Sequence, residues 1–149
     1  MNVEKIKSGF QLLATSILKL DFKNNFVIMN DSIKVERTLD TSYDINDITH
    51  DEEENLLMGT ITLNVLALIK SEEAEMNINM NLQGCFISEK TDDIEAFKKM
   101  LGINGCATLY SIARSIILSI TSQACAGAHV LLPMINIFEL NESSEKEQE

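Results

Sequence analysis

Much of the chain alternates between apolar and polar positions with a period of two, the mark of a strand buried on one face. From residue 10 to 22, Phe10, Leu12, Ala14, Ser16, Leu18, Leu20 and Phe22 share one face, opposite Gln11, Leu13, Thr15, Ile17, Lys19 and Asp21. That predicts a first strand with one buried face and a second that is partly apolar. From 32 to 45, Ile33, Val35, Leu39, Tyr43 and Ile45 stay in phase against Lys34, Glu36, Thr38, Asp40, Ser42 and Asp44, a strand with one wet face. A third strand is predicted over 57–69, with Leu57, Ile61, Leu63, Val65, Ala67 and Ile69 on one side. In the fourth, Met76, Ile78, Met80 and Leu82 alternate with Asn77, Asn79, Asn81 and Gln83 before Gly84, where a bulge or bend is expected. The connections are short enough for an antiparallel meander.

After Thr91 the period changes to that of a helix. Thr91 or Asp92 is placed to cap a short helix with Ile94, Phe97, Met100 and Leu101 at core spacing, and Gly102 is expected to end it. A long helix follows over 107–126, with Leu109, Ile112, Ala113, Ile116, Ile117, Ile120 and Ala124 along one face. Its other face is not charged as a surface helix's would be. Ser111, Ser115, Ser119 and Ser122 lie there with Leu118, and Arg114 is the helix's one charge. Small side chains let a second helix approach closely, so this face is expected to be an interface between subunits. A merely hydrated serine face is the plain alternative. A membrane span fails because Arg114, Gln123, His129 and the serines interrupt the apolar run and no cluster of lysines or arginines flanks it.

The pattern therefore predicts an α+β fold, a four-stranded antiparallel sheet with a short and a long helix on one face. One domain is expected over 1–140. Residues 141–149 carry no apolar stripe, and a disordered acidic tail, dispensable for folding, is expected there. Two apolar runs stay outside the periodic core. These are Phe26, Val27, Ile28 and Met29, held as either a short extra strand or an exposed patch, and the segment from Val130 through Leu132, Met134, Ile135, Ile137 and Phe138.

Charge changes the picture of partners. A formal net charge of −11 repels phosphates and excludes nucleic acid, while basic unfolded segments would be attracted. Residues 1–7 have no apolar core of signal-peptide length, which points to the cytoplasm. Cys85, Cys106 and Cys125 are odd in number and lie among apolar neighbours, so buried thiols are expected rather than disulfides. They also lack zinc-ligand spacing. The acids of 51–54 lie on a turn with His50 but without the Gly that a tight cation loop needs, and they read as solvated charge. No Gly-x-Ser-x-Gly turn and no phosphate loop is present, and a buried thiol is a better reading of Cys106 than a pair with His129. No catalytic residue, cofactor or metal is predicted.

At this point LQGCF at 82–86, LYSIARSIILSITSQA at 109–124 and LLPMIN at 131–136 resemble the SecB family of bacterial export chaperones. Gly84, Phe86, Ala113, Arg114, Ile117, Ser122, Pro133 and Asn136 fit the family's places. The resemblance implies an ATP-independent chaperone that is a homotetramer, a dimer of dimers with the long helices between them. It also implies apolar grooves that hold unfolded polypeptide clients, with preproteins for export as the expected cargo. Phe26, Val27, Ile28, Met29, Leu132, Met134, Ile135, Ile137 and Phe138 are then the client-binding candidates, unless both runs fill the chain's own core. Ser111, Ser115, Leu118, Ser119 and Ser122 are the interface candidates. Export members dock the translocase motor SecA through an acidic sheet face; here Asn77, Asn79 and Asn81 stand on that strand, which leaves SecA binding open. The family's second helix is expected to be shortened or missing. SecB-like chaperones that protect an antitoxin in toxin–antitoxin systems are the alternative. From other classes, a small-molecule-binding α+β domain with an enclosed pocket and a purely structural oligomeric subunit also remain.

Overall fold

The computed structural model describes residues 8–127 and 129–147; the expectations for 1–7 and for the last two residues of the tail lie outside them. Four strands, β1 (Phe10–Asn24), β2 (Glu36–Asp51), β3 (Leu56–Lys70) and β4 (Glu75–Glu89), form one antiparallel sheet in the order β1-β4-β3-β2. β2, β3 and β4 follow one another as a meander, and β1 pairs with β4. Residues 25–35 therefore carry the chain across one end of the sheet, roughly 14 Å at the usual strand spacing of about 4.8 Å. Helices α1 (Ile94–Met100), α2 (Cys106–Ala124) and α3 (Ile137–Glu147) complete the α+β fold.

The single alternation expected of β1 is broken twice. Register shifts between Leu12 and Ala14, and between Ile17 and Lys19, leave Leu13 and Leu18 as extra residues. Each bulge sends the side chains after it to the opposite face. The residues opposite the inward positions of β4 are thus Phe10, Leu12, Thr15, Ile17, Leu20 and Phe22, while Ala14 and Ser16 move to the outer face. β2 carries a third shift between Ile45 and Ile48 and runs through the acidic segment to Asp51. The expected acidic loop shrinks to a tip, where the Asp51 carboxylate accepts from the backbone N–H groups of Glu53 and Glu54 at 3.0 and 3.1 Å.

The core forms where the inner faces of β3 and β4 meet α1 and α2. Ile61, Leu63, Met80, Leu82 and Phe86 pack there with Phe97, Leu101, Leu109, Ala113 and Ile117, all fully buried. Each large aliphatic or aromatic side chain so buried contributes roughly 2 kcal/mol. The run from Ile94 to Ala124 is long and apolar enough to cross a bilayer by length and composition. Here one stripe of it, Phe97, Leu101, Leu109, Ala113 and Ile117, is spent on the chain's own sheet.

Two glycines act through space rather than through chain reversal. β4 keeps a regular register with β3 through Gly84, with no bulge; a Cβ there would stand 2.8 Å from a methyl of Leu109, so the glycine lets α2 descend onto the sheet. Gly102 does not end a helix. α1 is capped by Asp93, whose carboxylate accepts from the Ala96 N–H at 3.0 Å, and passes into α2 through a π-helical turn over Leu101–Gly105. A Cβ on Gly102 would lie 2.6 Å from Asn141 Oδ1 and 3.0 Å from the Tyr43 hydroxyl.

That contact corrects the expectation for the tail, which is helical to Glu147. The Asn136 side chain caps α3 by accepting from the N–H groups of Phe138 and Glu139 at 3.1 and 3.4 Å. Its inward stripe is Ile137, Leu140, Asn141 and Ser144, and Tyr43 donates its hydroxyl proton to the Asn141 amide oxygen. Half of that stripe is polar, so no apolar periodicity announces it. The division at residue 140 falls inside the helix.

Gly102→Ala should therefore cost about 1–3 kcal/mol and lower the melting temperature by several degrees. Removing 141–149 should also lower it measurably. Calorimetry that finds both proteins melting with the parent would mean that α3 does not dock.

Candidate functional site

Residues 129–136 form an extended strap that runs back along α2, and three side chains of α2 hold its backbone. Thr121 Oγ1 accepts from the Val130 N–H at 2.8 Å, Arg114 Nε donates to the Leu132 carbonyl at 2.9 Å, and the Tyr110 hydroxyl donates to the Pro133 carbonyl at 2.7 Å. Burial raises the Tyr110 pKa above its ordinary value, and the neighbouring Arg114 charge opposes this. The phenol therefore remains a proton donor throughout the neutral range. Arg114 Nη1 also reaches the Met134 sulfur at 3.2 Å.

At the far end of α2 the connection between β1 and β2 is pinned in turn. Ile28 and Ala126 form a parallel bridge, with Met29 N–H to Ala126 O at 2.8 Å and Ala126 N–H to Val27 O at 3.0 Å. Asn24 fixes the approach by accepting from the Phe26 N–H at 2.9 Å and donating to the Ala124 carbonyl at 3.3 Å.

These anchors divide the predicted client residues by direction. Phe26, Met29 and Leu132 turn inward and are buried in the core, Phe26 with 4% of its surface left. Ile135 and Ile137 are half-buried against it. Val27, Ile28, Met134 and Phe138 point outward, Val27 and Met134 being 80% and 81% exposed. Leu131, which the sequence reading passed over, joins them at 58%. Each connection is thus half core and half surface. The outward set is strung along α2 rather than gathered in one pocket. From Ala124 to Tyr110 the helix rises about 21 Å, the reach of roughly six residues of extended chain. At the Val27 end an open groove of about 610 Å³ is lined by Phe26, Val27, Ile28, Ile33, Lys34 and Glu72.

A second apolar area was also missed. α2 lies over β3 and β4, so among the described residues the middle of the inner face of β1 is uncovered: Phe10 and Phe22 at its ends are half-buried against the core, while Leu12, Ile17 and Leu20 stay exposed on the sheet's free edge with the bulge residues Leu13 and Leu18. On α2 the buried stripe is Cys106, Leu109, Tyr110, Ala113, Ile117 and Thr121. Ile112, Ile116 and Ile120, expected in the core, are only half-buried on the flank away from the strap. Beyond them Ser111, Ser115, Ser119 and Ser122 make the exposed face, with Leu118 at its border. The Ser122 hydroxyl is turned back on the Ser119 carbonyl at 2.8 Å.

Cys106 is fully buried, and burial pushes its pKa from 9.0 to about 12, which keeps the thiol protonated. His129 lies beyond the other end of α2, about 28 Å along a helix of 19 residues, so the two do not pair. The space between sheet and α2 is filled by core side chains. A further open cleft, of about 560 Å³, lies between β2, α1 and α3, edged by Tyr43, Glu95, Lys98, Lys99 and Asn141.

The fold is SecB-like. It matches the Mycobacterium tuberculosis Rv1957 SecB-like chaperone, solved in complex with a ChAD peptide from the Rv1956 HigA1 antitoxin, with a TM-score of 0.64 and 11% identity over 85% of this chain and 91% of that one. A protein of unknown function from Streptococcus agalactiae matches with a TM-score of 0.51 and 13% identity, over 84% of this chain and 97% of that one. No protein-family model matches the sequence, and no curated protein does.

The burial of Cys106 has a direct chemical readout. Iodoacetamide should modify the half-exposed Cys85 and Cys125 in the native protein and reach Cys106 only on unfolding. Peptide mapping after a short pulse distinguishes them, and early labelling of Cys106 would contradict the packing of α2.

Proposed function

We propose that this protein is an ATP-independent holding chaperone, related to the SecB family, that binds extended, unfolded polypeptide in the cytoplasm. The observation that carries the reading is the apolar line Val27, Ile28, Leu131, Met134 and Phe138. The two connections are held by the backbone anchors on α2 and Ala126, and among the described residues nothing covers the line. A row of exposed apolar side chains of this kind is costly to keep and marks a candidate binding site. Methionine and branched aliphatic side chains accept many sequences, which a chaperone for varied segments needs. The chain's net charge of −11 draws basic segments and keeps a loaded complex soluble. Free thiols at Cys85 and Cys106 suit a reducing compartment.

The bare areas support the homotetramer. The apolar inner face and free edge of β1 offer one interface, and the serine face of α2 with its isoleucine flank offers a second. Two unlike self-complementary surfaces build a dimer of dimers. Of the two services open to such a chaperone, antitoxin protection is favoured over delivery of preproteins. A protein of the same fold is an antitoxin-binding chaperone. The outer face of β4 offers Asn77, Asn79 and Asn81 in place of acids for SecA, although Asp40 and Asp44 of β2 lie on the same face.

Val27→Ser with Met134→Ser should weaken binding of an unfolded polypeptide by about tenfold or more while leaving mass and melting temperature unchanged. Phe26→Ser should instead unfold the chain. Equal binding by the double variant and its parent, in an aggregation-suppression assay, would remove this surface from the account. Ser115→Arg or Ser119→Arg should split the assembly, since a buried unpaired charge costs several kcal/mol. Light scattering that finds unchanged mass for both would place the interface elsewhere.

A further inference from the structure

Arg114 is the one charge on α2. In the described residues its partners are a backbone carbonyl and a thioether, not a carboxylate. We infer that Arg114 is the positioning residue of the client surface: by holding the Leu132 carbonyl and the Met134 sulfur on one guanidinium, it sets how Leu131 and Met134 face an extended apolar client. The inference rests on the holding function proposed above.

Three features of the geometry support it. Leu132 is buried outside any helix or sheet ladder, so its carbonyl needs a donor, and Arg114 Nε supplies one at 2.9 Å. Tyr110, one helical turn earlier, takes the next carbonyl, that of Pro133. Pro133 fixes its own φ, so the strap is pinned at consecutive residues with little torsional freedom between them. Met134 is otherwise almost wholly exposed, and its side chain has three free torsions; the Nη1 contact at 3.2 Å restricts them. An extended client then meets apolar groups already in place, and less rotamer freedom is lost on binding. Lysine keeps the charge but lacks the planar fork, so it cannot serve the carbonyl and the sulfur together.

The test compares Arg114→Lys, Arg114→Met and Tyr110→Phe with the parent. The probe is a fluorescein-labelled peptide of about 15 residues, apolar with interspersed lysines and unstructured when free, long enough to run the length of the line. Anisotropy gives its Kd, carbon-13 methyl spectra report Met134, and melting reports stability. Both Arg114 variants should raise Kd about tenfold, as for loss of one charge-assisted hydrogen bond, with a smaller rise for Tyr110→Phe. In parallel the Met134 methyl signal should move to the position and width of a freely rotating methionine. Leu39→Ala, a half-buried change in β2, should lower the melting temperature at least as much and leave Kd alone. The inference is overturned if Met134 becomes mobile while Kd stays at the parent value, or if Leu39→Ala raises Kd equally. Should the parent itself not bind the peptide, the holding function falls. That outcome is told apart by the parent's ordered Met134 signal and its loss in the Arg114 variants.

Discussion

A single α-helix is about 10 Å wide, and the sheet beneath it here is four strands, roughly 14 Å between its outer axes before side chains are added. One helical run cannot cover that face. It settles along β3 and β4, where Gly84 lets it sit low, and everything else in the chain responds to the area left over. The strap and α3 extend the cover toward β2, tied down by Tyr110, Arg114, Thr121 and the Tyr43–Asn141 bond. On the other side no element among the described residues extends over the middle of β1. The exposed apolar residues follow from this mismatch of width: they fall on β1 and in the segments outside the sheet and helix core that serve as cover.

The consequence for the connections is geometrical. A segment used as cover must turn alternate side chains inward to fill the core and present the rest to water. Phe26 and Met29 enter while Val27 and Ile28 stay out; Leu132 enters while Leu131 and Met134 stay out. Such a segment lacks the regular ladder that satisfies a strand's backbone, so side chains of α2 supply the donors and acceptors. The result is a surface both apolar and fixed, a combination that a mobile loop would not give and that binding of extended chains without energy input requires.

How much of this was legible follows from what alternation can and cannot encode. Strands and the long helix are written in the chain because burial on one face imposes a period. Bulges are not, because an extra residue reverses the phase without changing composition: Ile17 and Thr15 read as outward, and only pairing with β4 turns them in. The partner of β1 is likewise invisible to local pattern. Gly102 read as a helix stop, when its work is to admit Asn141 from far along the chain. α3 was hidden by a stripe that is half Asn and Ser, although Asn136 with Glu139 three residues later was a capping signal in plain view. At the site, composition located both connections and could not say which side chains turned inward.

The central claim is that the outward residues of the strap and of the β1–β2 connection form one client surface. Hydrogen–deuterium exchange of the full chain, with and without a saturating unfolded polypeptide, tests it most directly. The account predicts slowed exchange confined to residues 26–29 and 129–138, with the outer sheet residues Asn77, Asn79 and Asn81 unchanged. Protection on that outer face, with the strap exchanging as in the free protein, would contradict it.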